Sequence, residues 1–260
     1  MTEAERLHRH LVGQQGSRRS LNTPALVLDL EMLDRNIAAM AAFARQHHIK
    51  LRPHSKTHKS LHVARRQMAA GAVGICCAKL GEAEALGGGG IENLLVTSPV
   101  VTPQAITRLI ALNEAIAELM VVVDHPENVE ALSIAAERGS KLLTVVADID
   151  PGMHRTGVAS PAGVVALAQA VSRSRSLKYA GVQFYCGTLQ HIASYADRKA
   201  AIAERTEYLK DILDQLKPGF EAGALMPPVV RAYPLEQAKE AYEALADGKA
   251  ESKLIIVPFR

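Results

Sequence analysis

The sequence predicts an α/β fold, a TIM-type parallel β/α barrel that is incomplete, with about six of eight strand–helix units and a short unrelated α/β tail. From Thr23 to Lys217, short β-branched runs alternate with amphipathic stretches of helical length, which indicates βαβ units on a parallel sheet. No dinucleotide-binding glycine fingerprint interrupts the repeats, which favours a barrel over an open doubly wound sheet. After Lys217-Pro218-Gly219 the pattern changes, so the predicted barrel stops before its last units.

Each element of the predicted barrel has its own sequence signal. Apolar, β-branched runs predict strands at Ala25–Leu28, Ile49–Leu51, Val73–Cys77, Leu94–Thr97, Leu119–Val123, Leu142–Ile149 and Ala180–Tyr185. The stretches between them predict helices at Glu31–His47, His58–Ala70, Gly81–Leu86, Pro103–Glu118, Pro126–Arg138 and Pro161–Ser174, and a longer one from about Ala193 to Leu216. The four glycines Gly87–Gly90 predict a helix-ending turn, because a phosphate loop would follow a strand and precede a helix.

The same pattern divides the chain into three parts: an N-terminal extension (1–22), the partial barrel (23–217) and a tail (218–260). In the tail, Pro234 predicts the start of a helix that runs to about Ala246, and Lys253–Val257 predicts a last strand. The tail contains no side chain to which we assign a catalytic role.

Composition excludes several classes of function. The formal net charge is +3 with the basic residues scattered among acidic ones, and tryptophan is absent, so we expect no nucleic-acid surface. The apolar runs are strand-sized and the N-terminus is polar, so we expect no membrane span, no secretory signal and a cytoplasmic protein. The three cysteines are expected to be reduced thiols without metal-ligand spacing, and we assign no metal ligands.

The segment Ile49-Lys50-Leu51-Arg52-Pro53-His54-Ser55-Lys56 carries the most chemical information. Alternation along a strand places Ile49 and Leu51 on the outer face, against helices, and His54 and Lys56 on the inner face at the carboxyl end. Active sites of β/α barrels assemble there, and a lysine in that place can form a Schiff base with an aldehyde cofactor. We choose Lys56 over Lys59, which is predicted to lie a turn into the next helix. The alternative is an ordinary solvated lysine-rich loop.

Two further clusters follow later strands. Asp148-Ile149-Asp150-Pro151-Gly152-Met153-His154-Arg155-Thr156-Gly157 turns after a buried strand and places Arg155 just beyond it. Arg155 can bind a cofactor oxygen or a substrate carboxylate, or can instead pair with Asp148 or Asp150. Tyr185 ends the last predicted barrel strand, either at the site or as a buried tyrosine bonded to a backbone carbonyl.

Three strings, TPALVLDLEMLDRNIAAM, LRPHSKTHKS and GAVGICCAKLGEAEAL, resemble the opening of D-threonine aldolases and D-serine dehydratases, pyridoxal-phosphate enzymes of the alanine-racemase-like class. The resemblance extends from about Thr23 to Gln190. It implies that Lys56 is the Schiff-base lysine of an Arg-Pro-His-x-Lys motif and that Arg155 lies in a Gly-x-x-Arg-x-Gly turn beside the cofactor. It also implies that Tyr185 lies near the pyridine ring. His191 matches the family's Tyr-x-Gly-x-x-Gln-His string, and we interpret it as a structural or rim residue and not as a general base. We therefore assign His54, Lys56, Arg155 and Tyr185 to cofactor binding, and Lys56 to catalysis.

The resemblance ends after the barrel. The relatives continue with a glycine-rich loop for the cofactor phosphate and a C-terminal β-domain, which in this subgroup supplies divalent-metal ligands and the dimer contacts; neither is present in this sequence. A homodimer therefore cannot be carried over. The tail instead resembles the end of a zinc-type alcohol dehydrogenase or quinone oxidoreductase, which favours a fusion or a truncated reading frame.

The resemblance implies a lyase that acts on D-3-hydroxy amino acids and cleaves them to glycine and an aldehyde, as D-threonine aldolases do. D-serine dehydratase-type elimination shares the same early chemistry. Two other hypotheses remain, a non-catalytic pyridoxal-phosphate-binding protein and an inactive truncated remnant. An oxidoreductase function is the weakest, because the sequence has neither a dinucleotide-binding motif nor a zinc-ligand set.

Overall fold

The computed structural model describes residues 7–223, 225, 230–234 and 253–257. The α-helices of this part are α1 (Leu30–Gln46), α2 (Leu61–Ala69), α3 (Leu80–Gly88), α4 (Pro103–Ala115), α5 (Pro126–Ala136), α6 (Pro161–Arg173) and α7 (Tyr195–Glu221). The strands are β1 (Ile75–Cys77), β2 (Asn93–Val96), β3 (Glu118–Val123), β4 (Leu143–Ile149), β5 (Leu177–Phe184), β6 (Val230–Pro234) and β7 (Lys253–Val257). Within this part no helix is long and apolar enough to cross a membrane.

The five strands β1 to β5 form one parallel sheet in chain order. An open doubly wound sheet reverses its strand order at a switch point, whereas a barrel adds each strand beside the previous one. Residues 51–54 extend the sheet beside β1 as an edge segment. The carbonyls of Leu51 and Pro53 accept backbone hydrogen bonds from Val73 and Cys76, and His54 forms a parallel bridge with Cys76. With this edge segment and α2, six strand–helix units are present among the described residues, which confirms the incomplete barrel.

The hydrophobic core lies between the sheet and the outer helices. One face of the strands contributes buried side chains such as Leu94, Val121 and Val145. The helices contribute Leu109 and Leu167 to the same cluster. Helix starts are fixed locally: the hydroxyls of Ser60, Thr102 and Ser160 each accept a backbone N–H of the first turn of α2, α4 and α6. The opposite face of the sheet is left for the polar residues described below.

The first two predicted strands are wrong. Residues 25–28 form no strand, and residues 49–51 join the edge of the sheet only through Leu51, whose carbonyl accepts from Val73; Leu26, Val27 and Ile49 are exposed. Ile49 is therefore not covered by a helix as predicted. A cavity of about 510 Å³ separates α1 from the segment around Leu51. For residues 25–28, apolar and β-branched composition alone does not produce a strand, because no neighbouring strand pairs with this segment.

Smaller differences concern element ends. Lys59, predicted within a helix, precedes α2, and its φ of 47° belongs to the left-handed region. Tyr185 lies one residue beyond β5 instead of ending it. The predicted glycine turn is confirmed, since α3 ends at Gly88 and Gly90 has a φ of 85°.

The tail contributes a parallel pair, β6 and β7, and β7 has the predicted bounds Lys253–Val257. Pro234, predicted to begin a helix, is the last residue of β6, and the remainder of that predicted helix lies outside the described residues. Helix α7 continues through Pro218 to Glu221, so the predicted junction at Lys217-Pro218-Gly219 lies within a helix. The three-part division of the chain remains a prediction.

Candidate active site

Alternation along parallel strands brings a set of polar residues to one place. In register, His54 lies beside Cys76, and Asp148 beside Gln183, at the carboxyl ends of their strands on the face opposite the helices. Thr97 and Asp124 directly follow β2 and β3. The carboxyl edge of a parallel sheet is where barrel enzymes collect functional groups. The four predicted site residues lie at this edge or just beyond it.

Lys56 lies in a short 3₁₀ turn, Ser55–Thr57, that follows the edge segment. The turn is anchored from below, because the buried Ser55 hydroxyl donates to the carbonyl of Cys76 at 3.0 Å. The Lys56 backbone N–H donates to Nδ1 of His54 at 3.2 Å. The Lys56 side chain is exposed, so its amine is accessible to a small molecule while its backbone is held at two points.

Tyr185 brings the two predicted cationic residues together. The Lys56 Nζ lies 4.9 Å from the centre of the Tyr185 ring, and the Arg155 guanidinium carbon lies 5.3 Å from it. Both distances are within the range of cation–π attraction. The Tyr185 hydroxyl accepts from Nε2 of Gln190 at 3.3 Å, so it is not the buried tyrosine bonded to a carbonyl. His191 is exposed at the end of the neighbouring 3₁₀ turn, as a rim residue would be.

The turn that carries Arg155 is held by backbone hydrogen bonds to the carboxylates of Asp150 and Asp124. Asp150 Oδ1 accepts the backbone N–H groups of Gly152 and Met153 at 2.9 and 2.7 Å, and both Asp150 oxygens accept that of His154. Burial disfavours the charged form of Asp150, but these amides outweigh it and lower its pKa. Within the described part of the chain, Asp150 thus binds the turn, not Arg155.

Gly157 closes this turn against the end of β4. Its φ is 99°, and a Cβ there would lie 2.5 Å from the Asp150 nitrogen, so only glycine fits without displacement. Its N–H donates to Asp124 Oδ2 at 3.1 Å. The glycine and the carboxylate together place Arg155 and Thr156 above the sheet edge.

Asp148 is a buried carboxyl, with 3% of its surface exposed. Its oxygens accept from Gln183 Nε2 at 2.8 Å and from the Thr156 hydroxyl at 2.9 Å. Burial raises its pKa, and the two hydrogen bonds only partly offset this effect. These two hydrogen bonds satisfy the carboxylate directly. Arg155 forms no ion pair with Asp148 among the described contacts, but its charge acts on the carboxyl and also lowers its pKa, by less than the two hydrogen bonds do.

Sequence reasoning missed Thr97, Asp124 and Gln183, which complete the polar edge. The signal was present: Thr97 and Asp124 directly follow apolar strands, Gln183 is the penultimate residue of β5, and all three have the inward-facing parity. A small crevice of about 10 Å³, lined by Asp148, Arg155, Thr156 and Tyr185, lies among these groups. Among the described residues, no group of three or more His, Cys, Asp or Glu side chains is arranged to hold a metal ion.

Comparison with known proteins agrees with this geometry. The family model of the alanine racemase N-terminal domain matches residues 28–226. The 3-hydroxy-D-aspartate aldolase of Paracoccus denitrificans (strain Pd 1222) is 39% identical over 211 residues, which are 81% of this chain and 54% of that protein.

Two solved structures have the same fold. The D-threonine aldolase of Filomicrobium marinum matches with a TM-score of 0.73 and 33% identity, covering 90% of this chain and 61% of that one. The D-threo-3-hydroxyaspartate dehydratase of Delftia sp. HT23 matches with a TM-score of 0.69 and 27% identity, covering 91% and 60%. The chain thus spans 54% to 61% of the length of these relatives. The resemblance inferred from the sequence is confirmed: the chain belongs to the alanine racemase N-terminal domain family.

Proposed function

We propose that this chain is the cofactor-binding barrel of a pyridoxal-phosphate-dependent lyase that cleaves D-3-hydroxy amino acids to glycine and an aldehyde. The observation that carries the proposal is the convergence of Lys56 and Arg155 on the ring of Tyr185, at 4.9 and 5.3 Å. An accessible amine, a guanidinium and an aromatic hydroxyl meet at the edge of the sheet where barrel enzymes react. The relatives named for aldol cleavage make this chemistry the first candidate.

The residues present fit the aldehyde and ring ends of pyridoxal phosphate. Lys56 offers a primary amine for the aldehyde, Arg155 offers a fork of donors for an oxygen, and Tyr185 offers an aromatic face with a hydroxyl. Among the described residues we assign none to the phosphate.

The chain's residues then have separate tasks. Lys56 would hold the cofactor aldehyde through Nζ, and its free amine could hold a proton at Nζ. Arg155 binds an oxygen of the cofactor or the substrate carboxylate, and Tyr185 orients both cations on its ring. His54 supports the backbone of Lys56 at 3.2 Å. When bound, pyridoxal phosphate supplies an electron-accepting ring for the electrons released on Cα–Cβ cleavage.

The proposed partner is therefore a small D-amino acid with a 3-hydroxyl group. Dehydration by elimination of that hydroxyl is the second candidate, favoured by the structural match to a dehydratase. Both reactions need the same lysine, so the site does not separate them. A non-catalytic pyridoxal-phosphate-binding protein would need only the contacts of Lys56, Arg155 and Tyr185 with the cofactor. An inactive remnant would bind neither cofactor nor substrate.

The products test the proposal. We would incubate the chain with pyridoxal phosphate and a divalent metal ion, supply D-threonine and D-threo-3-hydroxyaspartate in turn, and quantify glycine, aldehyde and oxo acid. We expect glycine with an equimolar aldehyde, and loss of at least ~10³-fold in rate for Lys56→Ala, because the covalent step depends on that amine. Lys59→Ala, three residues away and also exposed, is the matched control and should retain the rate.

The other outcomes identify the alternatives. An oxo acid without glycine would replace aldol cleavage by dehydration. Bound cofactor without turnover of either substrate would leave a binding protein, and equal rates for Lys56→Ala and the wild type would contradict the proposal entirely.

A further inference from the structure

A continuous set of hydrogen bonds crosses the inner face of the sheet and joins the Lys56 turn to the Arg155 turn. Nε2 of His54 lies 3.2 Å from the Thr97 hydroxyl, and that hydroxyl donates to the carbonyl of Cys77 at 3.1 Å. Nε2 of Gln183 donates to the carbonyl of Thr97 at 3.2 Å and to Asp148 at 2.8 Å. We call these contacts, with the Thr156 hydroxyl on Asp148, the cross-sheet network.

The contacts of His54 determine where its ring proton lies. Nδ1 accepts the backbone N–H of Lys56, so Nδ1 carries no proton. The single hydroxyl proton of Thr97 is directed to the carbonyl of Cys77, so the Thr97 oxygen must accept from His54. The ring is therefore the neutral tautomer protonated at Nε2. Burial, followed by the charge of Lys56, lowers the pKa of His54, which favours the same neutral form.

Both nitrogens of His54 are thus committed to the protein. Nδ1 holds the Lys56 backbone and Nε2 holds Thr97, so neither is free to take a proton from a substrate. At the other end of the network, Gln183 places both of its amide protons, one on Thr97 and one on Asp148. Asp148 in turn accepts from Thr156, the neighbour of Arg155.

We propose that Thr97 and Gln183 are positioning residues, which fix His54 as the neutral Nε2–H tautomer and hold the Lys56 turn in register with the Arg155 turn. The consequence for Lys56 and Arg155 as cofactor ligands rests on the function proposed above, whereas the tautomer of His54 does not. His54 is then a support for the Lys56 backbone and not an acid or base. Thr97 contributes through its hydroxyl and Gln183 through its two amide protons.

Nitrogen-15 NMR of histidine-labelled chain without cofactor tests the tautomer directly. The His54 resonances are assigned by their loss in His54→Gln. At pH about 7, near the unperturbed pKa of histidine, we expect a protonated Nε2 and an unprotonated Nδ1. Thr97→Val keeps the side-chain shape but removes the acceptor of the Nε2–H group. The Nε2 resonance should therefore shift, while Nδ1, which still accepts from Lys56, stays unprotonated. Thr97→Ser should restore the wild-type pattern.

A matched control is Thr107→Val, because Thr107 bonds only the carbonyl of Pro103 on the exposed side of α4. It should leave His54 unchanged, and thermal melting of each variant shows that it is folded. A wild-type His54 protonated at Nδ1, or an unchanged spectrum in Thr97→Val, would overturn the inference.

Gln183→Met tests the link between the turns, with Gln104→Met on the exposed surface of α4 as its control. We expect pyridoxal phosphate to bind Lys56 about tenfold more weakly in Gln183→Met, because loss of a buried hydrogen bond to a charged group costs about that factor. Equal binding in both variants would contradict the role of Gln183. Failure of the wild-type chain to bind at Lys56 would instead refute the proposed function and leave the His54 result standing.

Discussion

The ring of Tyr185 holds two positive side chains near each other, and this is the most specific residue-level feature of the site. Lys56 and Arg155 would repel each other in a dry pocket, but each is attracted to the electron-rich face of the ring. The arrangement keeps an amine and a guanidinium close enough to bind two ends of one small molecule. The site residues themselves stay predictions until a ligand is observed on them.

Tyr185→Leu should weaken binding of pyridoxal phosphate roughly fivefold to tenfold, because it removes the aromatic face but keeps an apolar side chain. Tyr185→Phe keeps the ring and should stay within about twofold of the wild type. Absorbance titration with pyridoxal phosphate measures both affinities. If the phenylalanine variant lost as much affinity as the leucine variant, the hydroxyl and not the ring face would be responsible.

Two histidines should make the free energy of unfolding depend on pH. Burial is the main cause that lowers the pKa of His54 and of His58 below 6.5. The unfolded chain therefore binds more protons than the folded chain below that value. The contribution of these histidines to the free energy of unfolding should be fully present above pH 6.5 and should be lost as pH decreases. Urea unfolding between pH about 7.5 and about 5.5 measures this slope.

The double variant His54→Gln/His58→Gln separates the histidines from other groups. Asp148, whose pKa burial raises, acts in the opposite direction, since its contribution is lost as pH rises. The variant keeps Asp148 and should show a smaller fall in stability toward acid than the wild type. An identical slope in both proteins would mean that these histidines do not control it.

At the scale of elements, capping signals were readable from the sequence and strand pairing was not. Pro103, Pro126 and Pro161 begin helices as predicted, because proline fits the first turn and a capping side chain precedes it. Residues 25–28 look equally like a strand but lie exposed, since a strand also needs a partner that no local pattern supplies.

The site divides in the same way. Lys56 and Arg155 stand in recognisable strings, whereas the tie between Gln183 and Thr97 joins residues 86 positions apart and follows only from the sheet register. Their inward parity was readable, but which of the inward polar residues meet depends on how strongly the sheet curves.

Asp150→Ala should destabilise the chain by about 2–3 kcal/mol, because three backbone N–H groups lose a charged acceptor. Hydrogen exchange of the Gly152, Met153 and His154 amides should become faster. Ser160→Ala removes the cap of the adjacent helix α6 and should cost about 1 kcal/mol without changing those amides. Unchanged protection in Asp150→Ala would show that the turn is held by other contacts.

For the whole molecule, the open side of the barrel is the main consequence of incomplete closure. Leu26, Val27, Leu28, Phe43 and Ile49 are exposed together with the cavity beside α1. Exposed apolar side chains and unpaired strand edges favour association between copies. The described residues supply six strand–helix units of the family fold. A closed barrel has eight such units, so closure would require further strands at the open side.

We expect the 260-residue chain to self-associate as its concentration rises, and Val27→Lys to shift that association at least about tenfold toward higher concentration. Sedimentation velocity measures the change. Leu213→Lys, an equally charged substitution at an exposed apolar position on α7, is the control and should have no effect. A similar shift in both variants would indicate a general effect of charge instead of an interface at the open side.

The central claim is that Lys56 binds the aldehyde of pyridoxal phosphate. Borohydride reduction of the chain with added pyridoxal phosphate, followed by peptide mass mapping, tests it most directly, because reduction makes the linkage permanent. We expect a pyridoxyl group on Lys56, with Lys59 unmodified although it lies exposed in the same segment. Modification of Lys59 alone, equal labelling of many surface lysines, or no labelling at Lys56 would contradict it.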